Sequence, residues 1–205
     1  MRYPKYEYRA EDLMLYYEFV SVGPKGKVKK IVEYSSTSVE NVYNLAFGDY
    51  DEKIDGINDT SITNNGDSQK VLATVASTVY AFTGKYPNAW VHATGSTIVR
   101  TRLYRMGITN NLTEIAEDFF VFGLRNDKWE EFIAGEDYEA FLVTRKIKIY
   151  KLMDTKIDKL NKAKIPIVKI DKRLERFRGK ILFPEKLEKA NEILTKVGLP
   201  KLTTK

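Results

Sequence analysis

An α+β fold is what this 205-residue sequence predicts: a mixed, mostly antiparallel sheet with two packed helices, followed by a helical tail. Three observations carry that reading. Aromatic side chains make up 12 % of the chain, with 13 Tyr and 10 Phe, a bias that suits pleated, half-buried strands. Two windows repeat apolar residues at helical spacing instead, and strand-like runs flank each of them, so strands alternate with single helices. After residue 150 the sequence turns Lys-rich and loses the strand pattern.

Taken in order, residues 6–9 suit a short edge strand. Residues 13–22 are aliphatic and aromatic, Gly23-Pro24-Lys25-Gly26-Lys27 is turn chemistry, and residues 28–34 return, which makes 13–34 a hairpin. A third strand is expected over 42–47. Residues 48–69 are a long polar stretch in which 57–63 suits a short strand; a loop of that length usually carries function or moves. Val71, Leu72, Val75, Val79 and Phe82 then mark a helix over 69–82, with Asp67 or Ser68 as cap and Gly84-Lys85-Tyr86-Pro87 as its end. Residues 89–94 form a short buried strand. A second helix, 97–106, is capped by Ser96 and stopped by Gly107, and 110–118 is polar with a helical turn. Strands at 119–124, 129–133 and 140–145 complete the sheet. In the tail, residues 185–197 form an amphipathic helix, with Pro184 at its start, Gly198 just past its end, and Leu187, Ala190, Ile193, Leu194 and Val197 in one stripe. No internal repeat is present.

Charge divides the chain. Residues 151–205 hold 16 Lys and Arg against 7 Asp and Glu, a net of +9, whereas residues 1–150 hold 18 against 21, a net of −3. The basic balance therefore belongs to the tail, and a generally basic nucleic-acid surface on the first 150 residues is excluded. The expected organisation is an α+β domain over 1–150 and a basic tail over 151–205. The tail has too few apolar groups to fold well alone, so it is expected to dock on the domain or on another molecule. With no cysteine there is no disulfide, thiolate metal site or cysteine nucleophile, and one histidine, His92, rules out a multi-histidine metal centre within one chain. Neither a leader-like apolar run nor an 18-residue apolar stretch occurs, so a cytoplasmic protein without a membrane span is expected.

The chemistry-bearing segments are the two strand-to-helix junctions. Thr63-Asn64-Asn65-Gly66-Asp67-Ser68, with Gln69, opens the first helix, whose free amides and dipole suit a phosphate. Gly95-Ser96-Thr97 opens the second, which carries Arg100, Arg102, Tyr104 and Arg105. This order of strand, loop, helix, strand and helix over residues 28–145 resembles the core of the GNAT acetyltransferase superfamily. Leu103-Tyr104-Arg105-Met106-Gly107-Ile108 is similar to that family's Leu-Tyr-x-x-x-Gly-Phe signature. The pyrophosphate-loop signature agrees at Gly66, with Thr63 and Ser68 at its other two positions. The resemblance implies acetyl-coenzyme A as cofactor, held at Asn64, Asn65, Gly66, Ser68, Gln69 and Ser96, and Tyr104 as the acid that protonates the departing thiolate. It places the coenzyme in a cleft between the strand ending at Phe47 and that ending at Thr94. Residues 3–146, through Tyr86-Pro87-Asn88, Gly95-Ser96-Thr97 and 100–105, also resemble a bacterial family of unassigned function. From Met153-Asp154-Thr155-Lys156 onward the tail is similar to a small antitoxin-like protein encoded beside such domains.

Each feature also has a plainer reading. Gly66 suits a turn, and Tyr104 lies among Val99, Leu103 and Met106, where it would simply pack. Arg100, Arg102 and Arg105 either grip phosphate or an acidic partner, or form a solvated face paired with acidic residues of the long loop. His92 in an apolar strand suits a core position better than a base, and Asp49, Asp51, Glu52 and Asp55 either approach a cation or form a solvated loop. Three functions stay open: an acyltransferase or a toxin derived from one, a non-catalytic binding module with the tail as docking segment, and nucleic-acid binding through the tail, which salt would weaken.

Overall fold

The computed structural model describes residues 4–58, 65–146 and 168–202. The expected domain boundary at 150, the start of the antitoxin-like stretch at Met153, and Thr63 and Asn64 lie outside the described residues. Strands β1 (Tyr8–Ala10), β2 (Tyr16–Gly23), β3 (Gly26–Ser36), β4 (Val42–Asp51) and β5 (Gly56–Asn58) precede helix α1 (Ser68–Lys85). Strand β6 (Trp90–Ala93), helix α2 (Ile98–Asp118) and strands β7 (Phe119–Arg125), β8 (Lys128–Glu131) and β9 (Ala140–Arg145) follow. The C-terminal segment adds β10 (Lys169–Ile170), a 3-10 helix (Lys172–Phe177) and helix α3 (Pro184–Val197). The strands form one mixed sheet in the order β10-β1-β2-β3-β4-β6-β9-β7-β8, with β5 beside β4.

Alternation along the strands explains the layering. Tyr17, Phe19, Val32 and Tyr34 point to one face, where they pack with Val71, Val75 and Phe82 of α1. The Tyr34 and Phe82 rings stack with centroids 4.1 Å apart. Their neighbours Tyr16 and Ile31 point to the opposite face, where they pack with Leu174 and Phe177 of the C-terminal segment. The sheet is thus covered on both sides, and α1 and α2 share one of them. Strands β4 and β6 run parallel from Val42↔Trp90 to Asn44↔His92, which makes β4-α1-β6 a crossover. Because β9 lies antiparallel to both β6 and β7, those two also run the same way, and α2 makes a second crossover. Both helices therefore start at the edge toward which β4 and β6 run.

The structure corrects four local expectations. Residues 6–9 do not supply an edge: β1 lies between β2 and β10, which pairs with it in parallel. Gly107 does not stop the second helix, and residues 107–118 continue α2 without a break. A glycine within a helix costs about 1 kcal/mol relative to alanine. At Gly107 a Cβ would lie 3.4 Å from Leu72 Cδ1, within ordinary contact range, so α1 passes beside this position. The cap of α2 is Thr97, whose hydroxyl accepts from the Arg100 amide, and not Ser96. At the start of α1, Asp67 holds the cap position without capping, because its carboxylate accepts from Tyr6 Oη at 2.7 Å and Ser21 Oγ at 2.6 Å.

The C-terminal segment docks through polar anchors as well as apolar ones. Glu33, fully buried on β3, accepts from the amides of Leu182 at 3.1 Å and Phe183 at 3.2 Å. Glu11, also fully buried, accepts from Leu13 and Leu15 amides and from Arg178. Ala190 and Leu194 of the expected stripe turn inward with Lys186, whose stem is buried and whose ammonium donates to the Phe47 carbonyl at 3.3 Å. Among the described residues no helix is long and apolar enough to cross a membrane.

Burial pushes the Glu33 carboxyl up to about 7, against the pull of the two amides and of Lys186. A carboxyl raised in this way stabilises the fold most below its ordinary value of 4.5, and that stabilisation is lost as pH rises through 7. The contribution is about 3 kcal/mol. Glu33→Gln is expected to flatten this part of the pH dependence, read as the difference in denaturation free energy between pH 5 and pH 8 for variant and wild type.

Candidate functional site

An apolar cavity of about 320 Å³ lies between the two crossover helices and the sheet. Its floor is formed by alternate strand residues, Leu45 and Phe47 of β4, Val91 and Ala93 of β6, Val121 of β7 and Val143 of β9. The walls are α1 from Ser68 to Tyr80 and α2 from Leu103 to Ile115. The cavity exists because β4 and β6 stop pairing after Asn44 and His92. Strand β5 meets β4 only from Asp49 to Asp51, so among the described residues 45–48 have no strand neighbour on that side. Helix α2 does not close the gap. Of its 21 residues only Thr101 and Asp118 are fully buried, and Leu103, Tyr104, Ile108 and Ile115 stay half-buried along the void.

Three residues singled out from sequence meet here. Ser68 and Gln69 are exposed on the rim, and Tyr104 is half-buried in the wall beside Phe47, with ring centroids 5.6 Å apart. The others do not converge on the cavity. Asn65 is buried against the β2–β3 hairpin: its amide donates to Ser21 Oγ and the Gly26 carbonyl at 3.1 Å, and its oxygen accepts from the Lys25 amide at 2.9 Å. Gly66 adopts φ +73° beside Pro24, a turn conformation that glycine takes without strain. Ser96 accepts from Arg100, Arg105 pairs with Asp137 and donates to the Glu136 carbonyl at 3.1 Å, and Arg102 is exposed. The acidic partner of Arg105 thus comes from the turn before β9 and not from the long loop.

His92 is fully buried and points away from the cavity, since its strand neighbours Val91 and Ala93 line it. Its Nδ1 lies 3.3 Å from Asn44 Oδ1, its ring meets Trp129 edge-on, and its Nε2 has no hydrogen-bond partner among the described residues. The sheet therefore separates His92 from any ligand in the cavity. Of the acidic stretch, Asp49 is buried against Lys30, Glu52 pairs with Lys29 at 2.6 Å and Asp55 accepts from Tyr50. Among the described residues no group of three or more acidic or histidine side chains could hold a metal ion.

The sequence reading missed the apolar lining and the asparagines beside it, Asn110 and Asn111. The signal for them lay in α2, a helix with a polar surround whose apolar residues are spread over its length rather than gathered in a stripe, interrupted by a glycine.

The chain belongs to a family of unknown function (DUF6934), whose model matches residues 2–146. No curated protein and no solved structure matches it.

Burial lowers His92 to about 4 from an ordinary 6.5, with a smaller push from Lys189. The stability it contributes is present above 6.5 and lost as pH falls through 4, by about 3 kcal/mol. This opposes Glu33 over the same range. His92→Leu is expected to raise stability at pH 4.5 relative to wild type while ligand uptake by the cavity stays unchanged, which parallel denaturation and binding titrations check.

Proposed function

We propose that the cavity is the acyl-binding site of a coenzyme A-dependent N-acyltransferase, or of a toxin-like protein derived from one. The observation that carries this reading is the gathering of Tyr104, Ser68 and Gln69 at an apolar opening where two parallel strands part. In the reaction, an acceptor amine attacks the thioester carbonyl, the carbon–sulfur bond breaks, and the Tyr104 hydroxyl donates its proton to the departing thiolate. The tyrosinate recovers a proton from the acylated nitrogen through solvent. Ser68 and Gln69 open α1, and no side chain caps that end, so the coenzyme's phosphates would meet first-turn amides. Asp67 beside them works against an anion, and its two hydroxyl donors, Tyr6 and Ser21, temper that charge.

A second reading, a non-catalytic module regulated by its own C-terminal segment, is favoured by a separate observation. Residues 168–202 lie outside the family match and cover the sheet face opposite the cavity, burying Leu174, Phe177 and Phe183. The segment then acts as a docked partner in the manner of an antitoxin.

Calorimetry with acetyl-coenzyme A and a coenzyme-release assay with amine acceptors test the first reading. Tyr104→Phe is expected to retain binding within about twofold and to lower turnover about 100-fold; absence of binding at millimolar ligand, with no effect of the substitution, overturns it. For the second reading, Phe183→Ala is expected to cost about 3–5 kcal/mol and to expose residues 168–202 to protease, and a wild-type protection pattern in that variant argues against docking as a regulated event.

A further inference from the structure

We infer that the cavity takes a medium-length unbranched acyl chain, on the order of ten carbons, rather than an acetyl group. The inference rests on the acyl-binding reading and names its substrate class. Length comes first. The lining runs from Ser68 to Tyr80 on α1 and from Leu103 to Ile115 on α2, a span of thirteen residues on each helix, which is ~18 Å of helix. The two helices start at the same edge of the sheet and approach each other at Leu72 and Gly107. Volume follows: the cavity measures about 320 Å³. At ~30 Å³ for each water-sized group, the same volume holds about ten methylene-sized groups.

Polarity sets the direction. Ser68 and Gln69 stand in the first turn of α1 and Tyr104 in the second turn of α2, while Tyr80, Ile115 and Phe119 line the other end. A thioester headgroup then sits at the rim and the hydrocarbon runs inward. Helix α2 gives an independent reason. It leaves Leu103, Ile108 and Ile115 half-buried above the void, and contact with a chain would bury the surface that the sheet does not reach.

The experiment is a calorimetric series on the full chain with coenzyme A, coenzyme A thioesters of two to sixteen carbons, and free decanoate. Affinity is expected to rise about fourfold per added methylene and to level off near ten carbons. Ala76→Phe, which fills the middle of the cavity, should move that plateau several carbons shorter while leaving coenzyme A itself unaffected; should this variant fail to fold, the wild-type series decides alone. Thioester binding that ignores chain length, or a plateau unmoved in a folded Ala76→Phe variant, overturns the chain-length inference and leaves the transferase reading standing. Binding of decanoate without any preference for its thioester supports the chain site and overturns the transferase reading. If no member of the series binds, both fall.

Discussion

A sheet covered on both faces governs the rest of this molecule. Strands β3 and β4 are buried above and below, so the charged groups they bury are paired inside the protein. Lys30 meets Asp49, Glu33 meets the amides of Leu182 and Phe183, and the Phe47 carbonyl meets Lys186. Each pairing ties a strand to its neighbour or to the C-terminal segment, so that segment supplies hydrogen-bond partners that the 4–146 region does not provide for itself. The two halves of opposite net charge are joined by such individual contacts, and the overall attraction of −3 for +9 only brings them together.

The same constraint explains why the cavity lies where it does. Where β4 loses β6 as a neighbour, the sheet cannot offer a continuous apolar floor to both helices at once. Helix α1 follows the β2–β4 side and packs densely, with Val71, Val75 and Phe82 buried. Helix α2 has to bridge toward β7 and β9, and it meets α1 at Gly107 beside Leu72 and again around Tyr80. The void between them is therefore a product of strand divergence, and its apolar character follows from alternation, since the positions that face it are the ones already selected to face a core.

Much of the architecture was legible in the residues. The hairpin of β2 and β3 follows from turn chemistry at Pro24 to Lys27, and the order of strands and helices from the change between two-residue and 3.6-residue periods. The limits of α3 follow from Pro184 and Gly198, whose φ of +69° is one that glycine adopts freely. What stayed hidden depends on tertiary contact. Gly107 reads as a stop because propensity is local, whereas in the fold the helix continues through it to Asp118, beside Leu72 of α1. Asn65 reads as a ligand-facing loop residue, and only the fold shows that the hairpin consumes its whole amide. Lys186 interrupts an apolar stripe in sequence, yet its stem packs where a leucine would.

Helix α2 has a consequence for how this family can diversify. Its residues Ile108 and Ile115 line the void and at the same time pack against the cluster of Tyr80, Phe119 and Phe141, whereas Leu103 lines the void without joining that cluster. Bulk at position 103 can therefore vary at smaller cost to folding than at positions 108 and 115. One helix thus serves two ends, with a side that anchors it to β7 and β9 and a side whose bulk sets the shape of the void.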